Sequence, residues 1–166
     1  MRAKFVLKDK DRGFKALMKN AALLKKSYVR AGVLGEGEKD ARRGEDLTNV
    51  ELAVIHEFGA PGAGIPERSF VRSSFDAGKE KYMAALRKMS IQVYDGRADA
   101  KKVLGLIGAQ MAADMKGRIA AGIPPPNAPE VLARKQAKGS GAGAPKPLVD
   151  TGQLLSSITW AVELGG

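Results

Sequence analysis

Thr48-Asn49-Val50-Glu51-Leu52-Ala53-Val54-Ile55-His56-Glu57-Phe58-Gly59 holds a whole helix together with its start and stop signals. Thr48 and Glu51 have the spacing of a capping box, in which hydroxyl and carboxylate each satisfy a backbone N–H left open by the first turn. This predicts a short helix over about 49–58 that stops at Gly59. Ala60-Pro61-Gly62-Ala63-Gly64 can continue neither helix nor strand and reads as a turn. A longer helical pattern begins at Pro66, which presets the first turn. Val71, Phe75, Gly78, Tyr82, Leu86, Met89 and Val93 recur every three or four residues as one apolar stripe, until Asp95-Gly96 breaks it.

On the C-terminal side, a second long helix is expected over about 98–121, burying Ala100, Leu104, Ile107, Met111 and Met115. Gly122 and Pro124 end it. Residues 123–147 contain consecutive prolines and then Gly139, Gly141 and Gly143, and read as one long irregular segment. Asp150 and Gln153 have cap spacing for a short helix, and Ile158, Trp160 and Val162 alternate as one face of a closing strand. On the N-terminal side, Phe14, Leu17, Met18, Ala21 and Leu24 mark an amphipathic helix over 11–26, with Asp9 or Asp11 as cap. Tyr28 to Leu34 alternates as a strand ending at Gly35, and 36–46 is a charged loop without period. The expected fold is α+β. A small antiparallel sheet, from about 28–35, 157–163 and one or two further strands, is packed by two long helices and shorter ones, with long irregular loops. The 166 residues suit a single domain spanning 1–166, with flexible segments at about 36–46 and 123–147.

Composition narrows the chemistry. There is no cysteine, so disulfides, thiolate metal sites and cysteine nucleophiles are excluded. No apolar run has the length of a membrane span, so no membrane partner is expected, and Met1-Arg2-Ala3-Lys4-Phe5 lacks the apolar core of a signal peptide. The net charge of +10 is unevenly spread: residues 1–45 carry +7, 46–76 carry −3, 77–121 carry +5 and 122–166 carry +1. An acidic island between basic segments suits assembly of unlike faces, and also non-specific contact with a nucleic-acid backbone.

His56-Glu57 invites a metal reading, but a zinc-protease helix needs a second histidine four residues on. Position 60 is Ala60, and His56 is the only histidine. A packed or interfacial histidine is the expectation, with no metal and no cofactor. No Gly-x-Ser-x-Gly turn surrounds any serine, and Lys138-Gly139-Ser140 lacks the order of a phosphate-binding loop, so no catalytic residue is assigned. Lys15, Lys19, Lys25 and Lys26 are the candidates for facing DNA, without the spacing or aromatic platform of a specific reader.

Two stretches form a compound signal. The first is His56-Glu57-Phe58-Gly59, a short turn, then Ile65-Pro66-Glu67-Arg68-Ser69-Phe70. The second is Pro147-Leu148-Val149-Asp150-Thr151-Gly152-Gln153-Leu154 with Ser157-Ile158, after the Pro-rich Ile123-Pro124-Pro125-Pro126-Asn127. In this order they resemble the tail-completion, or neck, proteins of long-tailed bacteriophages, over roughly residues 48–76 and 122–160. Glu67 and the Gly-rich turn depart from the family's pattern. The resemblance implies a structural virion protein: a subunit of a homo-oligomeric ring at the head–tail junction, meeting other neck and tail proteins, with a lumen through which DNA passes. Its assembly candidates are His56, Glu57, Phe58, Gly59, Pro66, Arg68, Phe70, Asp150, Thr151, Gly152 and Leu154. Among these, Arg68 is expected to fix the corner against acidic residues 51, 57 and 67. A tail terminator, a non-specific DNA-binding protein and, last, a hydrolase are the alternatives.

Overall fold

The computed structural model describes residues 13–35, 47–137, 146–149 and 152–165. In chain order these form α1 (Phe14–Lys26), β1 (Tyr28–Val33), α2 (Asn49–Phe58), α3 (Val71–Tyr94), α4 (Ala100–Ala121), α5 (Pro129–Ala137), α6 (Gln153–Ser157) and β2 (Ile158–Glu163). The fold is α+β, mostly helical around one small antiparallel sheet.

The sheet is built from the two ends of the described chain. Val29 pairs with Val162, Ala31 with Trp160 and Val33 with Ile158, so the apolar residues of both strands share one face. That face lies on α4, which has no side chain where the strands come closest. A Cβ on Gly108 would stand 2.6 Å from Cγ2 of Val29 and 3.0 Å from Cβ of Trp160, and one on Gly105 would stand 3.2 Å from the Trp160 ring. The two glycines are therefore the seat of the sheet. Arg30 and Glu163 pair at 2.7 Å, both about half exposed, and such a pair contributes about 0–1 kcal/mol.

Phe70, Met115, Ile119 and Ile158 are the largest fully buried side chains, so the core joins the start of α3, the end of α4 and β2. A polar bridge ties α3 to α4 farther along. Asp114 accepts from Lys81 Nζ and Tyr82 Oη, each at 2.6 Å, and from Gln110 Nε2 at 2.9 Å. Burial raises the Asp114 pKa, but these donors outweigh it and hold the carboxyl below its ordinary value. Burial and the same carboxylate push the Tyr82 phenol up.

Four expectations need correction. Among the described residues there is no third strand, only an isolated bridge between Ala60 and Ile65. The segment 123–147 is not irregular throughout, because α5 occupies Pro129–Ala137. Pro129 presets its first turn, and Glu130 and Arg134 complement its dipole. The second long helix buries Val103, Gly105, Gly108, Ala112 and Ile119 beside the expected residues, leaving Met111 half-buried. Finally, α1 is rotated from its predicted stripe. Asn20 Nδ2 donates to the Val93 carbonyl at 2.8 Å, and Leu23 and Leu24 pack against Val93. That leaves Phe14 68%, Met18 52% and Leu17 38% exposed. The loop 36–46 and the caps Asp9 and Asp11 lie outside the described residues.

Two glycines of α4 should respond oppositely to one substitution. Gly108→Ala should destabilise by about 1–3 kcal/mol, since the added methyl overpacks the strands and outweighs the gain in helix propensity. Gly117→Ala meets nothing within 4 Å and should stabilise by up to about 1 kcal/mol. Urea midpoints of the two variants against the wild type check both signs.

Candidate functional site

The first turn of a 24-residue helix leaves backbone N–H groups without partners inside the helix, and at α3 one distant carboxylate collects them. Glu57, near the end of α2 and 5% exposed, accepts from the backbone N–H groups of Phe70 and Val71 at 2.9 Å and of Arg72 at 3.0 Å. The Ser69 hydroxyl donates to it at 2.7 Å and Arg72 Nε at 2.9 Å. Burial raises its pKa. The donations from the Arg72 and Val71 backbone, Ser69 and the Arg72 guanidinium outweigh that and hold it below the ordinary glutamate value. The same geometry explains why α3 begins at Val71 rather than at Pro66. Arg68 N–H donates to the His56 carbonyl at 2.8 Å, which keeps residues 66–69 out of the helix until the carboxylate is reached.

The corner leading to this cap is tight. Gly59 takes φ 74°, and a Cβ there would lie 2.8 Å from the Glu67 backbone nitrogen. Ala60 and Ile65 exchange backbone hydrogen bonds around a single 3-10 turn, Pro61–Ala63. Phe58 is 60% exposed, with the Arg72 guanidinium 4.7 Å from its ring centroid. Phe70, by contrast, is wholly buried.

Arg68 does not pair with the acidic residues of the corner. It is 7% exposed and sends Nε to the Pro125 carbonyl at 2.9 Å and Nη2 to the Pro126 carbonyl at 3.1 Å. The Pro124–Pro125 peptide is cis. The guanidinium that meets the carboxylates is Arg72, which bonds Glu57 and also Glu67, at 2.7 Å. Arg68 therefore anchors the Pro-rich segment, two of whose carbonyls present a geometry that its planar fork fits.

A cavity of about 510 Å³ opens beside this anchor. His56, Ile65, Pro66 and Arg68 line it together with Leu148, Gly152 and Leu154, and with Val131 and Arg134 of α5. The two motif stretches, far apart in sequence, thus meet around one groove. Lys135, only 7% exposed, also lines it and donates from Nζ to the carbonyls of Lys146, at 3.0 Å, and Val149. Leu154 is 3% exposed, and Gly152, at φ 78°, is the N-cap of α6. Asp150 and Thr151 lie outside the described residues. Lys15, Lys19, Lys25 and Lys26 are exposed on α1, away from the groove. Lys135 and α5 were missed in the sequence, although Pro129-Glu130 is a helix-start signal. Among the described residues no group of three or more His, Asp or Glu could hold a metal ion.

Because the folded pKa of Glu57 is depressed, its stabilising effect is fully present above its ordinary unfolded value and is lost as pH falls through the lower folded value. Glu57→Gln should cost about 2–3 kcal/mol near neutral pH. The difference between wild-type and variant urea midpoints should shrink as pH drops below about 4.5. Arg68→Lys keeps the charge and loses the fork. It should speed hydrogen exchange at the Ile123, Asn127 and Ala128 amides that flank the prolines, while amides in the middle of α3 stay unchanged. No protein-family model matches this chain, and neither curated proteins nor solved structures yielded a match.

Proposed function

We propose that this chain is a structural subunit of a ring at the phage head–tail junction, which completes the tail, joins it to the head and leaves a channel for DNA. The observation that carries the reading is the convergence of both resemblance stretches on one groove, which His56 and Arg68 of the first and Leu148 and Leu154 of the second line together. Residues that share a motif but act independently have no reason to meet. Among the matched residues, Glu57, Gly59, Arg68 and Phe70 hold the corner, and Phe58 and Pro66 are exposed beside it. The rest of the surface also suits a building block. Phe14, Phe58, Trp160 and Leu106 are large apolar side chains between 41% and 68% exposed. Repeated heterologous contacts between such faces close a cyclic oligomer.

One observation favours the second reading, a non-specific DNA-binding protein. The α1 sequence, Phe14–Lys26, carries Lys15, Lys19, Lys25 and Lys26 and no acidic residue. That reading requires binding to random duplex with a slope of about −0.9 in log affinity against log salt for each phosphate neutralised.

Native mass spectrometry and negative-stain electron microscopy of the purified chain test the ring. A single closed oligomer with a central opening is expected. A monomer at every concentration, binding duplex DNA with a steep salt dependence, would replace the ring reading with the second one.

A further inference from the structure

The ring reading leaves open which surfaces of neighbouring subunits meet. Two faces of this molecule differ in charge and share exposed apolar side chains. The first is the outer face of α1, where helical spacing sets Phe14 and Met18, 68% and 52% exposed, beside Lys15, Lys19, Lys25 and Lys26. The second is the α2–α3 corner, where Val54, Phe58 and Phe75 are 52%, 60% and 41% exposed. Arg72 stands at the centre of that corner: it bonds Glu57 and Glu67, lies over Phe58 and is one turn from Phe75 and Asp76. In the described part of the acidic island, Glu51, Glu57, Glu67 and Asp76 stand against only Arg68 and Arg72.

Both faces are attached to the same rigid rod, at opposite ends. α1 is held to the end of α3 by the Asn20–Val93 hydrogen bond, whereas the corner surrounds its first turn. A helix rises about 1.5 Å per residue, so some 30 Å separate the two faces, too far to meet within one chain. The other exposed apolar residues of the long helices, Met83, Ile91, Tyr94 and Leu106, lie in a segment of net charge +5, which repels a lysine-bearing helix. A DNA backbone would attract Lys15 and Lys19 but would leave Phe14 and Met18 in water. The acidic, apolar corner satisfies both.

On the self-assembling reading above, we infer that the outer face of α1 docks on the α2–α3 corner of a second copy, head to tail along α3. Such a contact uses unlike patches and therefore propagates from copy to copy, forming a ring where its rotation divides a full turn. Lys15 and Lys19 then face Glu67 and Asp76 of the neighbour.

Charge exchange tests the pairing. Lys15→Glu with Lys19→Glu, and separately Glu67→Lys with Asp76→Lys, should each weaken self-association on the order of tenfold or more, read by sedimentation across a concentration series. Circular dichroism verifies that both variants fold. Mixing the two variants should restore assembly, because each then offers the sign the other lacks, and so should all four substitutions in one chain. Carbodiimide cross-linking of wild-type protein should join Lys15 or Lys19 to Glu67 or Asp76 of another copy. If the wild type assembles and neither variant changes it, the pairing is wrong while the ring stands. A wild type that stays monomeric removes both. Loss of duplex binding by the Lys15, Lys19 variant with assembly intact would put α1 against nucleic acid and overturn the inference. Cross-links running only to Asp9 or Asp11 of the same chain would also overturn it, by covering α1 from within.

Discussion

The carboxylate of Glu57, taken from the end of α2 and set at the head of α3, is the constraint on which the rest of the molecule depends. It meets three consecutive backbone N–H groups, a hydroxyl and a guanidinium in nearly complete burial. A negative charge there also answers the positive end of the helix dipole. The consequence is geometric as well as energetic. The start of α3 is fixed at Val71, Phe70 is turned into the core against Met115 and Ile119, and the chain between α2 and α3 is held as a closed corner. A water-exposed cap would leave the helix end free to fray, whereas a buried and fully occupied carboxylate does not.

From that corner the order spreads outward. Arg68, its backbone bonded to the His56 carbonyl, holds the carbonyls of Pro125 and Pro126. That hold positions the approach to α5, and Lys135 of α5 in turn holds the chain at Lys146 and Val149. A buried guanidinium and a buried ammonium thus perform the same task, satisfying carbonyls that irregular backbone leaves open. The groove is lined by both of these cations and by the segments that they hold. Its walls are apolar where leucine, isoleucine and valine face inward, and its two buried cations are already committed to backbone.

The sheet obeys a different economy of space. Two strands alone are marginal in water, and these become stable by pressing one apolar face onto α4. The approach is close only because Gly105 and Gly108 lack side chains, and the Trp160 ring fills the room that they leave. The same helix that supports the sheet also supplies Met115 and Ile119 to the core and Asp114 to the bridge with α3.

Local signals were readable before any folding was considered. The capping box of Thr48 and Glu51 sets the observed start of α2, because both partners lie within one turn, and Gly59 sets its end. Alternation set β1 and β2, and Asp95-Gly96 and Gly122 ended their helices, because backbone conformation at those points depends on the residue itself. The motif residues could be named, but their tasks could not. Nothing in the local pattern says that Glu57 serves a helix beginning at Val71, that Arg68 reaches prolines beyond α4, or that α1 turns Leu23 and Leu24 inward rather than Phe14 and Met18. Helix caps and turns close within a few residues, and sequence alone determines them. The partner of a buried charge and the rotation of a helix are chosen by whatever surface the folded chain brings near, and only the tertiary structure decides that.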